Sequence, residues 1–339
     1  MTGWDMTQGG ERAARRAEAV RALVRDRGLR EITATAGELH AAGPVRPETI
    51  RLRAGYLENR TPSLLHPGSV RRRPPEHLRP PLARLLLPQG VALRFHLMAL
   101  FAAQCGTRPG RAWPGGVPLG RRAAHPGTTW LDLVAVSPTG EGPMTASQYT
   151  ANKLRQFRSA LTVLTRHGLT ELPGPGPRRR YDGFRLLAED GRNPGAGVAE
   201  YRVPERAEDT LAVPVEFFTR GWVQVLTPSE TAAYLMWLRL GGGSGYVIAG
   251  ESRRAARFGL SRDVQDTARA LEAFGLLSIL KPDRRRTDGT WHRYDAAEPL
   301  YADRVHVLPD GPRAWAPAVV EKALRKRAAL GAWAKPLDL

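Results

Sequence analysis

The chain has one cysteine, Cys105, so an internal disulfide is excluded. It lies in an apolar neighbourhood with Leu97, Met98, Ala99, Leu100 and Phe101, where a packed thiol is expected. No stretch of about 18 apolar residues occurs, which excludes a transmembrane helix. The N-terminus is polar and charged from Asp5 to Arg30, without the pattern of a secretory signal, so a soluble cytoplasmic protein is expected. The eight histidines are scattered and form no His-x-His or His-x-x-x-His pair, which removes ordinary zinc sites. His292 and His306 are expected as surface or strand residues. The glycine run Gly241–Gly245 is followed by neither Lys-Ser nor Lys-Thr, so no phosphate-cradling loop can be written. Tyr246 stands where a nucleophile elbow would need glycine. No lysine has an acidic residue two positions before it, so the acid-x-lysine part of a common nuclease pattern is missing. Neither an enzyme nor a bound cofactor or metal is expected.

What is present is positive charge. The 339 residues carry a formal net charge of +18, and arginine greatly outnumbers lysine. Such a field attracts polyanions, nucleic acid first and an anionic membrane surface second. Guanidinium forks suit phosphates and guanine edges. Hydrophobic residues make up 42%, enough for two or three small folded domains.

Composition divides the chain. Residues 1–60 suggest a helical module similar to a helix-turn-helix. Its helices are expected at Glu11–Asp26, at Ala36–Ala42 and from Arg46-Pro47 onward, with Ile50, Ala54 and Leu57 on one face. Residues 61–84 form a linker rich in Pro and Arg, extended where residues precede proline. Residues 85–190 contain a helix over Val91–Cys105, a Gly/Pro-rich insertion from Gly106 to Pro143 and a strand at Trp130–Val136. An amphipathic helix from Thr145 to His167 and two strands, Leu169–Leu172 and Phe184–Leu187, complete this unit. Residues 211–308 contain a helix from Pro228 opened by the capping box Thr227-Pro228-Ser229-Glu230. Helices at Ala249–Phe258 and Ser261–Phe274 follow, then strands at Leu277–Lys281 and Trp291–Tyr294. A basic helix lies within 315–339.

Two stretches repeat one plan. Leu161–Leu172 and Ala268–Ile279 each run from a helix through Gly168 or Gly275 into a strand. Each is followed by an arginine turn, Arg178, Arg179 and Arg180 in one and Arg284, Arg285 and Arg286 in the other. Glycine fits where the chain leaves a helix in a left-handed conformation.

The stretch Arg257-Phe258-Gly259-Leu260-Ser261-Arg262-Asp263-Val264 resembles the turn and recognition-helix start of bacterial winged-helix DNA-binding proteins. The likeness extends over Thr227–His306 and, more loosely, Val91–Leu187. It implies a mainly α fold with small β-hairpin wings, as tandem winged-helix units behind the N-terminal module. With Val264, Ala268, Leu271 and Phe274 inward, Arg262, Asp266, Arg269 and Ala273 point out and Gln265 lies on the flank. Arg262, Gln265 and Arg269 are therefore base-reading or backbone candidates. In the first unit Leu154, Phe157, Leu161 and Leu164 face inward, and Gln148, Asn152, Arg155 and Ser159 outward. Lys153 lies too near the core to count. The arginine turns are candidates for the sugar-phosphate backbone, a solvated turn being the plain alternative. Neutralising six phosphates would give a log–log salt slope of about −5.

The expected partner is double-stranded DNA. No membrane is expected; a homodimer and a protein contact through the C-terminal helix are left open. A transcriptional regulator is the first reading. A replication initiator of a plasmid or other mobile element is the second, since tandem winged helices resemble those initiators, and Val213–Phe218 before Gly221-Trp222 resembles the entry to their helix-turn-helix. A protein-interaction module built on winged helices is the third.

Overall fold

The computed structural model describes residues 3–26, 28–59, 74–86, 90–121, 127–136, 145–173, 181, 183–190, 199–241, 245–247, 251–260, 264–280 and 304–331. For 3–8, 26, 251–254 and 264–266 it describes the backbone alone. Over these residues the chain is mainly helical, with three two-stranded antiparallel sheets.

Two helices, α1 (Gly3–Asp26) and α2 (Leu29–Ala42), open the chain. A series of elements follows: β1 (Thr49–Arg53), α3 (Ala54–Leu57), α4 (Pro81–Arg84), α5 (Ala92–Gly106), α6 (Trp130–Leu133) and α7 (Ala146–Arg166). It ends in a hairpin of β2 (Thr170–Glu171) and β3 (Arg185–Leu186). The same series then recurs. It runs β4 (Thr210–Pro214), α8 (Glu216–Thr219), α9 (Trp222–Val225), α10 (Pro228–Gly241), α11 (Glu251–Phe258) and α12 (Val264–Ala273). A hairpin of β5 (Leu277–Leu280) and β6 (Arg304–Val307) ends it, and α13 (Ala316–Leu330) follows.

The duplication is visible in the hydrogen bonds. β1 and β4 pair antiparallel, Thr49 opposite Pro214 and Arg53 opposite Thr210. Past each end the bonds are reciprocal: Ala54 N donates to Asp209 O (2.9 Å) and Val215 N to Glu48 O (3.0 Å). An antiparallel pair has a local two-fold axis, and the two like series leave its opposite ends. The helix exits match as well. Gly168 N donates to Thr165 O and Leu169 N to Leu164 O; Gly275 N donates to Glu272 O and Leu276 N to Leu271 O. Both are the double bond of a glycine C-cap, with Gly168 at φ 68° and Gly275 at φ 72°. The carbonyls of Leu169 and Leu276 then accept from Leu187 N and Leu308 N, each at 3.0 Å, where the returning strand ends.

The copies share one apolar core. Phe101 of α5 stacks on Phe218 of α8 at 5.1 Å, and Phe217 on Tyr234 at 5.3 Å. Within the first copy Phe95 packs against Trp130, Phe157 and Phe184. The free edge of β1 is closed by a side chain: the Gln104 amide accepts from Arg51 N and donates to Arg51 O, both at 2.8 Å. At the end of β1, Arg53 donates to the fully buried Glu189 and to Glu208. Burial alone would lower the guanidinium pKa, but these two carboxylates more than offset it and hold Arg53 charged.

Several expectations are corrected. The third N-terminal helix is instead β1 and the single turn α3. Ile50 and Leu52 are both fully buried while Thr49 and Arg51 are only half-buried, a period of two that the helical reading of Ile50, Ala54 and Leu57 overlooked. Residues 130–136 are not a strand. Thr129 and Asp132 form a capping box that turns Trp130–Leu133 into a helix, which Val134 leaves in an extended conformation. The end of the linker is folded: α4 buries Leu82 and Ala83. β5 pairs with β6, Leu277 opposite Val307, whereas the strand expected at Trp291–Tyr294 lies outside the described residues. The apolar side of helix α13 packs within the chain. Val320 and Leu324 are buried, and α1 lies along it, its Gly10 so close that an added Cβ would sit 3.2 Å from Ala328 O.

Other expectations hold. The Thr227–Glu230 capping box is formed, with Thr227 N donating to Glu230 Oε2 (2.9 Å) and Glu230 N to Thr227 Oγ1 (3.2 Å). Cys105 is buried, and burial pushes its thiol up to about 12.

Candidate nucleic-acid interface

Helix α7 is the longest element of the first copy, and side-chain contacts fix its N-terminal half. Phe157, Ala160, Leu161 and Leu164 are buried, and Leu154 is half-buried. The irregular segment beneath it, 129–136, has its backbone satisfied by surrounding side chains. Lys153 donates to Leu131 O, Tyr149 to Val136 O, Arg94 to Ala135 O, and Gln224 to Leu133 O while accepting from Ala135 N. Burial, opposed by Asp132 and aided by Arg94, lowers the Lys153 ammonium to about 8. Burial likewise lowers Arg94 to about 10. Burial would raise the Asp132 carboxyl, but hydrogen bonds from Thr129 and Arg121 hold it below the usual range. These groups anchor α7 and are not free to meet a ligand.

The opposite face of α7 is open. Gln148, Ala151, Arg155, Arg158, Ser159, Thr162 and Arg166 are all exposed, at helical spacings of three and four. Arg155 and Ser159 therefore lie outward as expected. Asn152 does not: it is buried, with Oδ1 accepting from Gln156 Nε2 at 3.0 Å. It is corrected from the exposed face to the covered one. Near its N-terminus the buried arc of α7 is wide enough to take in both Asn152 and Lys153. Gln148 is exposed but is partly used as a cap. Its Oε1 accepts from Thr145 N (2.9 Å) and Thr145 Oγ1 (3.1 Å), which leaves its amide N–H groups for contact. Arg158 and Arg166 were missed by the sequence reading, although continuing the 155-159-162 stripe by one turn in each register finds both.

In the second copy, Ala268, Leu271 and Phe274 are buried and Arg269 is exposed, as the helical projection requires. Asp266 and Gln265 lie in α12, but their side chains are outside the described residues, as is all of Arg262. The two arginine turns, Arg178–Arg180 and Arg284–Arg286, also lie outside the described residues. The turn before α12 is anchored to the first copy. Gly259 has φ +65°, and a Cβ there would lie 3.2 Å from side-chain atoms of Arg79, Pro80 and Ala83.

Among the described residues no helix is long and apolar enough to cross a membrane, and no group of three or more His, Cys, Asp or Glu side chains could hold a metal ion. Against protein-family models, curated proteins and solved structures the chain has no match.

Proposed function

We propose that the chain binds double-stranded DNA through its two copies, each acting as a winged-helix unit. The observation that carries this is the duplicated exit of α7 and α12 through the same glycine cap into a hairpin, on a chain of net charge +18. The order of the second copy supports it. After α10, Val247 bridges to Val305 of β6, and α11, α12, β5 and β6 follow, which is helix, strand, helix, helix and hairpin. The first copy has the same order, with Ala112 bridging to Arg202 in place of that strand. In such a unit the helix before the hairpin enters the major groove and the hairpin turn lies along the backbone.

The use adopted for this binding is transcriptional regulation, by occluding or organising promoter DNA. The covalent pairing of two units in one chain is the feature that favours the alternative, a replication initiator. Titration of the full chain with duplex DNA, single-stranded DNA and RNA at 50 and 200 mM salt tests the binding. Duplex preference with a steep salt dependence is expected; indifference to duplex DNA at 50 mM salt refutes it. A footprint on genomic fragments separates the two uses: protection over a promoter supports regulation, and protection of direct repeats beside an origin supports initiation.

A further inference from the structure

Each copy reaches across the seam to the element that precedes the other's helix before the hairpin. Past β4, Gln224 of α9 is buried against the first copy. Its amide donates to Leu133 O and accepts from Ala135 N, both at 2.9 Å, as one residue of a neighbouring strand would around the extended Val134. Arg94 of α5 adds to this contact, giving Nε to Val223 O (3.1 Å) and Nη1 to Ala135 O (2.6 Å). The same segment holds α7, because Lys153 donates to Leu131 O and the Tyr149 hydroxyl to Val136 O. A path of hydrogen bonds through residues 131–136 thus links α9 of the second copy to the N-terminal half of α7 in the first. The reverse contact lies just past β1. Glu58 accepts from Arg257 Nε at 2.6 Å, and Asn59 N donates to Arg257 O at 2.8 Å, near the end of α11. Phe258 is buried there, and the turn at Gly259 rests on Arg79, Pro80 and Ala83 of the first copy before α12 begins. Helices α6 and α11 hold the same place in the two series, one element ahead of α7 and α12.

We propose that each copy positions the other's DNA-facing helix, with Gln224 as the positioning residue for α7 and Glu58 its counterpart at α11, the element before α12. This rests on the duplex-DNA reading above and assigns how its two helices are held. Apolar packing is non-directional and by itself lets neighbouring elements slide. Two bonds from one amide, to residues 133 and 135, fix where that segment sits and with it the start of α7. A glutamine amide is costly to bury unless both of its groups are satisfied, and here both are satisfied by backbone of the other copy. The two contacts differ in chemistry, an amide in one direction and a carboxylate with a backbone N–H in the other, yet they hold equivalent elements. Gln224 and Glu58 are both buried, so neither meets DNA itself. Loosening either one releases the helix of the opposite copy, and the two units bind as a coupled pair.

The test is hydrogen–deuterium exchange, without DNA, on the full-length wild type, Gln224→Met, Glu58→Gln and Gln104→Met. Gln224→Met keeps the length of the side chain and removes both bonds. Protection of the α7 amides should then fall about ten- to a hundredfold, and that of the α12 amides much less. Glu58→Gln should do the reverse, lowering α11 and α12 more than α7. Gln104→Met is the control: it removes a like pair of bonds, to Arg51 of β1, and should not single out α7. A side chain that merely supports its own fold would loosen its own copy, or both copies equally, and either result overturns the proposal. Circular dichroism checks that each variant is folded; if Gln224→Met is not, the Glu58→Gln pattern decides. The same proteins are then titrated with one DNA duplex by fluorescence anisotropy at 50 mM salt. Gln224→Met should bind about tenfold more weakly and Gln104→Met as the wild type does. Equal binding by Gln224→Met and wild type overturns the link from Gln224 to DNA. A wild type that ignores duplex DNA overturns the functional reading, while the exchange pattern decides the crosswise positioning by itself.

Discussion

Glu58 joins the two copies, and its removal should be costly. It follows α3 in the first copy, and its side chain is only 6% exposed. The carboxylate accepts from Arg239 of α10 through Nε (3.2 Å) and Nη2 (2.9 Å), and from Arg257 Nε of α11 at 2.6 Å. The next residue continues the seam: Asn59 N donates to Arg257 O at 2.8 Å and Asn59 Nδ2 to Leu78 O at 2.7 Å. Glu58→Gln keeps the shape and removes the charge that two guanidiniums face. Breaking a buried ion pair from one side costs about 3–5 kcal/mol. The two arginines keep 20% and 30% exposure, and Arg239 retains Asp209 at 2.8 Å, so the lower end applies. A loss of about 3 kcal/mol is expected in urea denaturation. At about 2.1 cal/mol/K of unfolding entropy per residue, this lowers the midpoint of thermal unfolding by about 4 °C. Arg257→Gln should cost less, about 1 kcal/mol, because Glu58 keeps Arg239. The double variant should fall short of the sum, by about 1 kcal/mol or more. A Glu58→Gln loss below about 1 kcal/mol, or strict additivity, would show that solvent screens this seam and that it adds little to the joining of the copies.

Three further outcomes follow from buried groups. Burial lowers His96 to about 3, and its Nδ1 lies 2.9 Å from the Tyr56 hydroxyl. Its unfolded value is near 6.5, so the unfolded chain takes up a proton that the native state refuses. Stability attributable to this site is complete above about pH 6.5 and is lost as pH falls towards 3, by about 2 kcal/mol at pH 5. His96→Gln should flatten that part of the pH–stability curve relative to wild type, and an identical acid slope refutes the assignment. The Cys105 thiol, buried and raised to about 12, should resist a disulfide reagent at pH 8 in the native protein and react at once in denaturant; rapid native labelling would contradict its burial. Gly259→Ala forces a left-handed residue and crowds Ala83, Arg79 and Pro80, so a loss of about 2–3 kcal/mol is expected, and a neutral result refutes the tight turn.

Sequence patterns local to one element were readable, and those needing a partner were not. The capping box at Thr227, the glycine exits at Gly168 and Gly275, and the buried faces of α7 and α12 depend on spacing within about a dozen residues. Each was found there. The hairpin repeat was found for the same reason. The larger repeat was hidden because its seed is a pair of five-residue strands separated by more than 150 residues, and neither signals its partner. Thr49–Arg53 was short enough that a helical projection almost fitted it, although Leu52, which is fully buried, falls off the face of Ile50, Ala54 and Leu57. Trp130–Val136 looked like a strand because all of it but Asp132 is apolar, yet Thr129 starts a helix there. Asn152 was placed by assuming a fixed-width apolar stripe, whereas the segment 129–136 covers more of α7 near its N-terminus.

The local two-fold between β1 and β4 bears on how a duplex would be held. A homodimeric DNA-binding protein obtains two binding units by association, and its half-sites match because its subunits do. Here both units belong to one chain, joined by an antiparallel pair, the Phe101–Phe218 stack and the Glu58 seam. On the proposed function, one chain therefore occupies one site without dimerising, and the site need not be symmetric. Its halves would meet unlike faces, Arg155, Arg158 and Arg166 on α7 against Arg269 on α12. Sedimentation of the complex should give one chain per duplex. Inserting five base pairs between the protected halves turns one of them by about half a helical turn and should remove most of the affinity. Two chains per site, or binding indifferent to that insertion, would mean that the copies do not engage DNA together and that the internal symmetry serves folding alone.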